Sequence, residues 1–267
     1  MTAPILEVSG LTMQFGGIRA LDRLDLSIRQ GEIAALIGPN GAGKTTFFNC
    51  VTGICKPTSG QIQLRLPDGK TARLNGLAPH KVTQAGLART FQNIRLFPAM
   101  TVLENVMIGR HCRTKAGLLG AIFRDKGTQQ EEREITARSF ALLEKTGLAE
   151  VADELAKNLS YGAQRRLEIA RALATEPLLL LLDEPAAGMN PQETAELDRL
   201  IAQICQEGVS ILLIEHDMKL VMSLSDHIFV MDYGRKIAEG KPDEVRRCPE
   251  VIRAYLGEET TDAGESS

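Results

Sequence analysis

Tryptophan is absent from the 267 residues, and aromatic residues together make up only 4%. Hydrophobic residues still reach 43%, so the core must be aliphatic, built from Leu, Ile, Val and Ala. Positive charge is not in excess: the formal net charge is -3, unlike the clear basic surplus of nucleic-acid-binding domains, so no nucleic-acid partner is expected. Cys50, Cys55, Cys112, Cys205 and Cys248 form no C-x-x-C pair. Odd in number and scattered, they read as free thiols in a reducing compartment. His80, His111, His216 and His227 show no metal-ligand spacing. Long apolar runs are missing too. Leu178–Leu182 is hemmed in by Pro177 and Asp183, far short of the roughly 20 residues of a membrane span. The opening MTAPILEVSG lacks the basic and apolar segments of a signal peptide. If the protein works at a membrane, a partner must supply the spans.

What is present is a strong alternation of patterns. Ile5 to Ser9 and Leu24 to Arg29 alternate apolar and polar, as half-buried antiparallel strands do. Ile33–Ile37, Leu178–Leu182 and Val209–Ile214 are short apolar runs, the mark of strands buried on both faces. Thr45–Thr52, Thr101–Gly109, Gln129–Thr146, Ser160–Ala174 and Pro191–Cys205 read as helices. In Gln129–Thr146, Glu131 to Glu134 form a wet face, and Ile135, Phe140, Leu142 and Leu143 are expected inward. Gln61–Leu66 alternates before a Pro67-Asp68-Gly69 turn, and Ile228–Met231 and Lys236–Ala238 flank a hairpin signal at Asp232-Tyr233-Gly234-Arg235. The basic, glycine-containing stretch 111–127 reads as an insertion or surface helix, and the acidic stretch 258–267 as a disordered tail. Buried strands alternating with helices predict an α/β fold: a mostly parallel sheet, an antiparallel β piece and a helical block in the middle.

Two motifs carry chemistry without further context. Gly38-Pro39-Asn40-Gly41-Ala42-Gly43-Lys44-Thr45 fits G-x-x-x-x-G-K-[ST], with a buried strand before it and a helix, including Thr46, after it. Glycines let consecutive N–H groups point at one anion, and the helix start adds its positive end. Lys44 is then expected on the β- and γ-phosphates and the Thr45 hydroxyl on Mg²⁺. The second is Asp183-Glu184 at the end of a buried strand. Asp183 is assigned to the metal and Glu184 to activation of the attacking water. Leu159-Ser160-Tyr161-Gly162-Ala163-Gln164, read alone, is a Ser-capped helix start.

The order of these motifs carries a resemblance. The phosphate loop is followed by Arg89-Thr90-Phe91-Gln92, by Leu-Ser-Tyr-Gly-Ala-Gln, by Asp183-Glu184 and by Ile214-Glu215-His216-Asp217. From about Ile5 to Leu256 the chain resembles the nucleotide-binding subunit of an ABC transporter. The resemblance implies a P-loop NTPase (RecA-like) cassette over 1–257, with a helical subdomain at about 93–165 inserted in the catalytic core. It implies ATP and Mg²⁺ as bound species and two subunits closing head-to-tail. Each ATP would lie between the phosphate loop of one subunit and the Ser160–Gly162 signature of the other. It further implies that Gln92 lies near Mg²⁺, that His216 hydrogen-bonds the γ-phosphate and that Phe15 stacks on adenine. Read alone, His216 is a polar residue after a strand and Phe15 a core aromatic.

The family pattern has Gly at Tyr161, Gln at Ala163 and Asp at Asn190. These variants, the 111–127 insertion and the ending Ile252-Arg253-Ala254-Tyr255-Leu256-Gly257 resemble the subfamily that energises uptake of branched-chain amino acids. That resemblance implies two membrane permeases, a second ATPase subunit, identical or not, and an extracytoplasmic binding protein. The chain would then sit at the cytoplasmic face of the inner membrane, held by the permeases. Leu96, Phe97 and Met100 suit either a docking groove or core packing. The alternatives are a soluble, non-transport ABC-type ATPase and a P-loop kinase. The kinase reading leaves the Ser160 segment and His216 without roles.

Overall fold

A computed structural model describes residues 3–110, 112 and 126–262, with nothing said of the side chains of 126–129 and 256–262. The 111–127 insertion therefore lies almost wholly outside the described residues, as does the end of the tail, 263–267.

Two sheets organise the chain. The first is antiparallel throughout: β2 (Ile18–Arg29), β1 (Pro4–Phe15), β4 (Ser59–Arg65) and β5 (Thr71–Arg73), in that order. The second runs β10 (Arg235–Gly240), β9 (His227–Asp232), β3 (Ile33–Ile37), β8 (Ser210–Ile214), β7 (Leu179–Asp183), β6 (Leu87–Arg89). Its strands pair in parallel except at the β9–β10 hairpin. The short strand β6 carries no signal beyond Leu87 and Ala88, and the sequence pattern missed it.

β3, β7 and β8 are buried at every residue. Their side chains divide by the two-residue period of a strand. Ala34, Leu36, Leu179, Leu181, Leu212 and Ile214 face the antiparallel sheet and α1 (Lys44–Val51), joining Leu6, Leu21 and Phe47 in one core. Ala35, Ile37, Leu180, Leu182, Ile211 and Leu213 face the other way, onto α6 (Pro191–Gln206) and its Leu197, Ile201 and Ile204. One continuous apolar run per strand thus fills two cores.

A third core joins α3 (Val102–Arg110), α4 (Lys126–Lys145) and α5 (Tyr161–Leu173) through Val102, Val106, Leu143 and Leu167. α5 belongs to two cores, since Ile169 and Leu173 pack with the parallel sheet. In α4 the buried face is Ile135, Ser139 and Leu143, and Phe140 is 39% exposed, against the expectation that it points inward. The 3.6-residue period explains this: 135, 139 and 143 share a stripe, and residue 140 lies about 100° around the helix.

The remaining helices, α2 (Pro79–Ala85), α7 (Met218–Leu224), α8 (Pro242–Arg246) and α9 (Pro249–Asp262), flank the sheets. α9 extends helix into the stretch read as a disordered tail, as far as Asp262. Val251, buried in the second core, and Tyr255, packed against it, anchor the helix from which those residues continue. None of the five cysteines is in a disulfide, and burial pushes the Cys50 thiol up to about 12, which leaves it unreactive at neutral pH.

Candidate functional site

The loop from Gly38 to Gly43 leaves β3 and enters α1. Gly38 (φ +150°) and Gly43 (φ +100°) hold conformations that side chains resist. Space forbids them as well: a Cβ on Gly38 would lie 2.0 Å from the Met231 carbonyl oxygen, and one on Gly43 2.6 Å from that of Ala20. The β9–β10 turn braces the loop from behind, Gly234 N–H donating to the Ala42 carbonyl at 3.0 Å. Inside the loop, the buried Lys44 Nζ donates to the carbonyls of Gly38 (2.5 Å) and Pro39 (2.8 Å). Asn40, Gly41 and Thr45 are exposed, Pro39 and Ala42 are buried, and Thr46 is intermediate. The first turn of α1 has backbone N–H groups with no partner inside the helix, which makes a cradle for an anion of phosphate size.

Beside the loop, β7 ends at Asp183. Its carboxylate Oδ2 takes a 2.6 Å ion pair from Arg89 Nη2, at the end of the neighbouring strand β6. Arg89 also donates to Asn49 Oδ1 on α1 at 2.7 Å, so one guanidinium ties the acid to the helix behind the loop. Glu184 follows with φ +48°, a left-handed backbone that costs about 1–3 kcal/mol for such a residue and marks functional sites. Gln92 Nε2 donates to its Oε2 at 2.7 Å, and His216 Nε2 lies 2.7 Å from its Oε1. Gln92, Glu184 and His216, which are far apart in sequence, thus meet on one carboxylate. The resemblance had placed Gln92 by the metal and His216 on a phosphate; here both side chains hold Glu184.

Glu215, next to His216, is buried. It accepts the Ala186 N–H at 2.9 Å and the His216 N–H at 3.1 Å, joining the segments that follow Glu184 and β8. Burial pushes its carboxyl above the usual 4.5, against these backbone hydrogen bonds.

As oxygen donors, the Thr45 hydroxyl, the Gln92 amide and Asp183 are of the kind a hard divalent cation takes. Among the described residues no group of three or more His, Cys, Asp or Glu could hold a metal alone. Magnesium fits this set only as nucleotides carry it, with phosphate and water completing its shell.

Ser160 caps α5, its hydroxyl accepting the Ala163 N–H at 3.3 Å. Gly162 is hemmed in, since a Cβ there would lie 2.5 Å from Glu193 Oε1. Tyr161 packs on the segment after Glu184, its ring 3.3 Å from where a Gly188 Cβ would be. Asn190 makes a capping box with Glu193 at the start of α6, a task Asn performs as well as Asp. Ala163 is buried in the third core. The three departures from the family pattern thus each have a packing or capping place. Phe15 ends β1 and is 49% exposed. Phe97 is 45% exposed, while Leu96 packs against the third core and Met100 is intermediate. Sequence reasoning missed Arg89 and Arg165 as site residues. Arg165 donates to the carbonyl of Phe91 at 2.5 Å and to that of Gln92. No spacing rule links either arginine to its partners.

The comparisons agree with this geometry. Residues 21–187 match the family described as "ABC transporter", and 235–261 match "Branched-chain amino acid ATP-binding cassette transporter". The chain is 50% identical, over 97% of its length and 100% of the relative's, to the high-affinity branched-chain amino acid transport ATP-binding protein LivG of Salmonella typhimurium. It is 49% identical over the same shares to the corresponding BraF of Pseudomonas aeruginosa. Among solved structures, the ADP conformation of MJ1267, an ATP-binding cassette of an ABC transporter, superposes with a TM-score of 0.82 at 33% identity, covering 96% of this chain and 100% of that one. The family match across the middle of the chain, the near-complete coverage of these relatives and the shared cassette fold place the chain in the ABC transporter family, as its ATP-hydrolysing cassette.

Proposed function

We propose that the chain drives an importer of branched-chain amino acids, working as one of two cassettes that close head-to-tail on ATP. The observation that carries this reading is the Glu184 carboxylate, received at 2.7 Å by both Gln92 and His216 beside the phosphate loop. The kinship with LivG and BraF supports the substrate class.

In this reading the loop from Gly38 to Thr46 holds the nucleotide phosphates through its N–H groups (all but Pro39 have one) and the Lys44 ammonium, and Phe15 supports the base. Thr45, Gln92 and Asp183 hold magnesium, which when bound offsets the negative charge of the phosphate oxygens. Glu184 orients water for attack and takes its proton. Gln92 and His216 keep that carboxylate in place. Ser160 and Gly162 serve the nucleotide of the second cassette, whether identical or not. Membrane permeases receive the motion through the segment from Gln92 to Gly109 and hold the chain at the cytoplasmic face. An extracytoplasmic binding protein delivers the substrate. Among the described residues no helix is long and apolar enough to cross a membrane, as a cassette needing such partners requires.

The test is uptake of labelled leucine by proteoliposomes holding the chain with its copurifying membrane subunits and binding protein. Uptake should require ATP and disappear with Glu184→Gln, while that variant still binds ATP. Turnover unchanged in Glu184→Gln would remove the assignment of Glu184. Failure of leucine, isoleucine and valine to be taken up by an ATP-hydrolysing complex would remove the substrate class.

A further inference from the structure

We propose that Arg165 is a positioning residue for hydrolysis: its guanidinium grips the carbonyls of Phe91 and Gln92 and so holds the Gln92 amide against Glu184. The inference rests on the reading that Glu184 activates water, and adds the side chain that sets its partner.

From Phe91 to Leu96 the chain has no helical or strand hydrogen bonding of its own. Its backbone groups must find partners elsewhere. α5 provides them from two residues one turn apart. Arg165 Nη1 donates to the Phe91 carbonyl at 2.5 Å, and Nη2 donates to the Gln92 carbonyl. Glu168 Oε1 accepts the N–H of Phe91 at 3.4 Å and of Arg95 at 3.3 Å. The two side chains pair at 3.4 Å and are 3% and 2% exposed. A fork of fixed geometry spanning two consecutive carbonyls is a task for guanidinium, which an ammonium cannot repeat.

The same guanidinium donates from Nη2 to the Tyr161 hydroxyl at 3.0 Å. The Tyr161 ring lies against Gly188, in the segment after Glu184. Arg165 therefore touches both ends of a circuit. One end is the signature start, which in the proposed pair serves the partner's nucleotide. The other is Gln92, whose amide is on this chain's own Glu184. A shift of the signature helix moves the carbonyls that Arg165 grips, and with them the hydrogen bond to the catalytic carboxylate.

The test uses the full chain and four variants: Arg165→Lys, Gln92→Ala, the double variant, and Tyr161→Phe, which removes only the hydroxyl that Arg165 contacts. ATPase rates give kcat and KM, a fluorescent ATP analogue gives affinity, and hydrogen exchange reads the amides of 91–95. Arg165→Lys should lower kcat by on the order of tenfold to a hundredfold, the cost of a misplaced catalytic group, with nucleotide affinity little changed. The double variant should be no slower than the slower single one, because both changes undo the same hydrogen bond. Exchange at 91–95 should quicken in Arg165→Lys and, more weakly, in Tyr161→Phe. A double variant slowed by the product of the two single effects would overturn the proposal, as would unchanged exchange at 91–95 in Arg165→Lys. Hydrogen exchange does not depend on turnover. Quickened exchange in a chain with no ATPase activity would therefore sink the hydrolysis reading and leave the grip standing.

Discussion

Arg89 and Asp183 form a 2.6 Å ion pair across β6 and β7, with each side chain 7% exposed. The Arg89 guanidinium also lies over the rings of Phe48 and Phe91, at 5.4 and 5.1 Å. Arg89→Ala strands a buried carboxylate. Loss of one partner of such a pair costs about 3–5 kcal/mol, so urea unfolding should shift to a markedly lower midpoint. Asp183→Asn, which removes the charge instead, should cost less stability than Arg89→Ala while still impairing turnover.

Two glycines in the phosphate loop separate space from strain. Gly38→Ala meets the Met231 carbonyl at 2.0 Å, whereas a Cβ at Gly41 (φ +77°) meets nothing within 4 Å. Gly41→Ala should therefore cost only the left-handed conformation, about 1–2 kcal/mol, and keep measurable ATP binding. Gly38→Ala must push the loop off the β9–β10 turn. It should abolish binding in a nucleotide titration.

Acidity tests the buried carboxyl of Glu215. Burial raises it above 4.5 in the folded chain, so the folded state binds more protons than the unfolded one from pH 4.5 up to the raised value. Stability from this group is full below pH 4.5 and falls as pH rises through that window. Denaturant titrations of the wild type and Glu215→Gln across pH 4 to 8 should show the wild type losing ground to the variant as pH rises. A gap that widens in the wild type's favour would contradict the sign.

If Ser160 and Gly162 complete the site of a second cassette, turnover per chain must rise with chain concentration. ATPase assays over a dilution series should be steeper than linear at low concentration. Ser160→Ala mixed with an excess of Glu184→Gln should recover activity that neither variant shows alone, because the mixed pair gathers both defects in one site and leaves the other intact.

Much of this was legible in the chain. β3, β7 and β8 announce themselves as unbroken apolar runs, because strands buried on both faces have no polar side to show. The phosphate loop is legible because its motif is eight consecutive residues, whereas the Met231 and Ala20 carbonyls that also exclude side chains at Gly38 and Gly43 are remote in the chain. Phe140 was misread because a helix face is set by its neighbours, and Ser139 takes the buried place. Arg89 with Asp183, and Arg165 with Gln92, were not legible for a different reason. Each pair joins residues 94 and 73 positions apart, and only the strand order and the lie of α5 bring them together. Tyr161 looked like a departure in sequence. Its hydroxyl and ring both have partners in the fold.

The left-handed backbone at Glu184 (φ +48°) sets stability against turnover at one position. Asn and Gly occupy that region more readily than Glu. A chain selected only for heat resistance would gain by replacing Glu184, and would lose its water-activating carboxylate in the same step. Keeping an acid there is a standing load on the fold, carried by the hydrogen bonds that Gln92 and His216 make to it and by the surrounding strands. A heat-resistant but inactive form of this cassette lies a single substitution away.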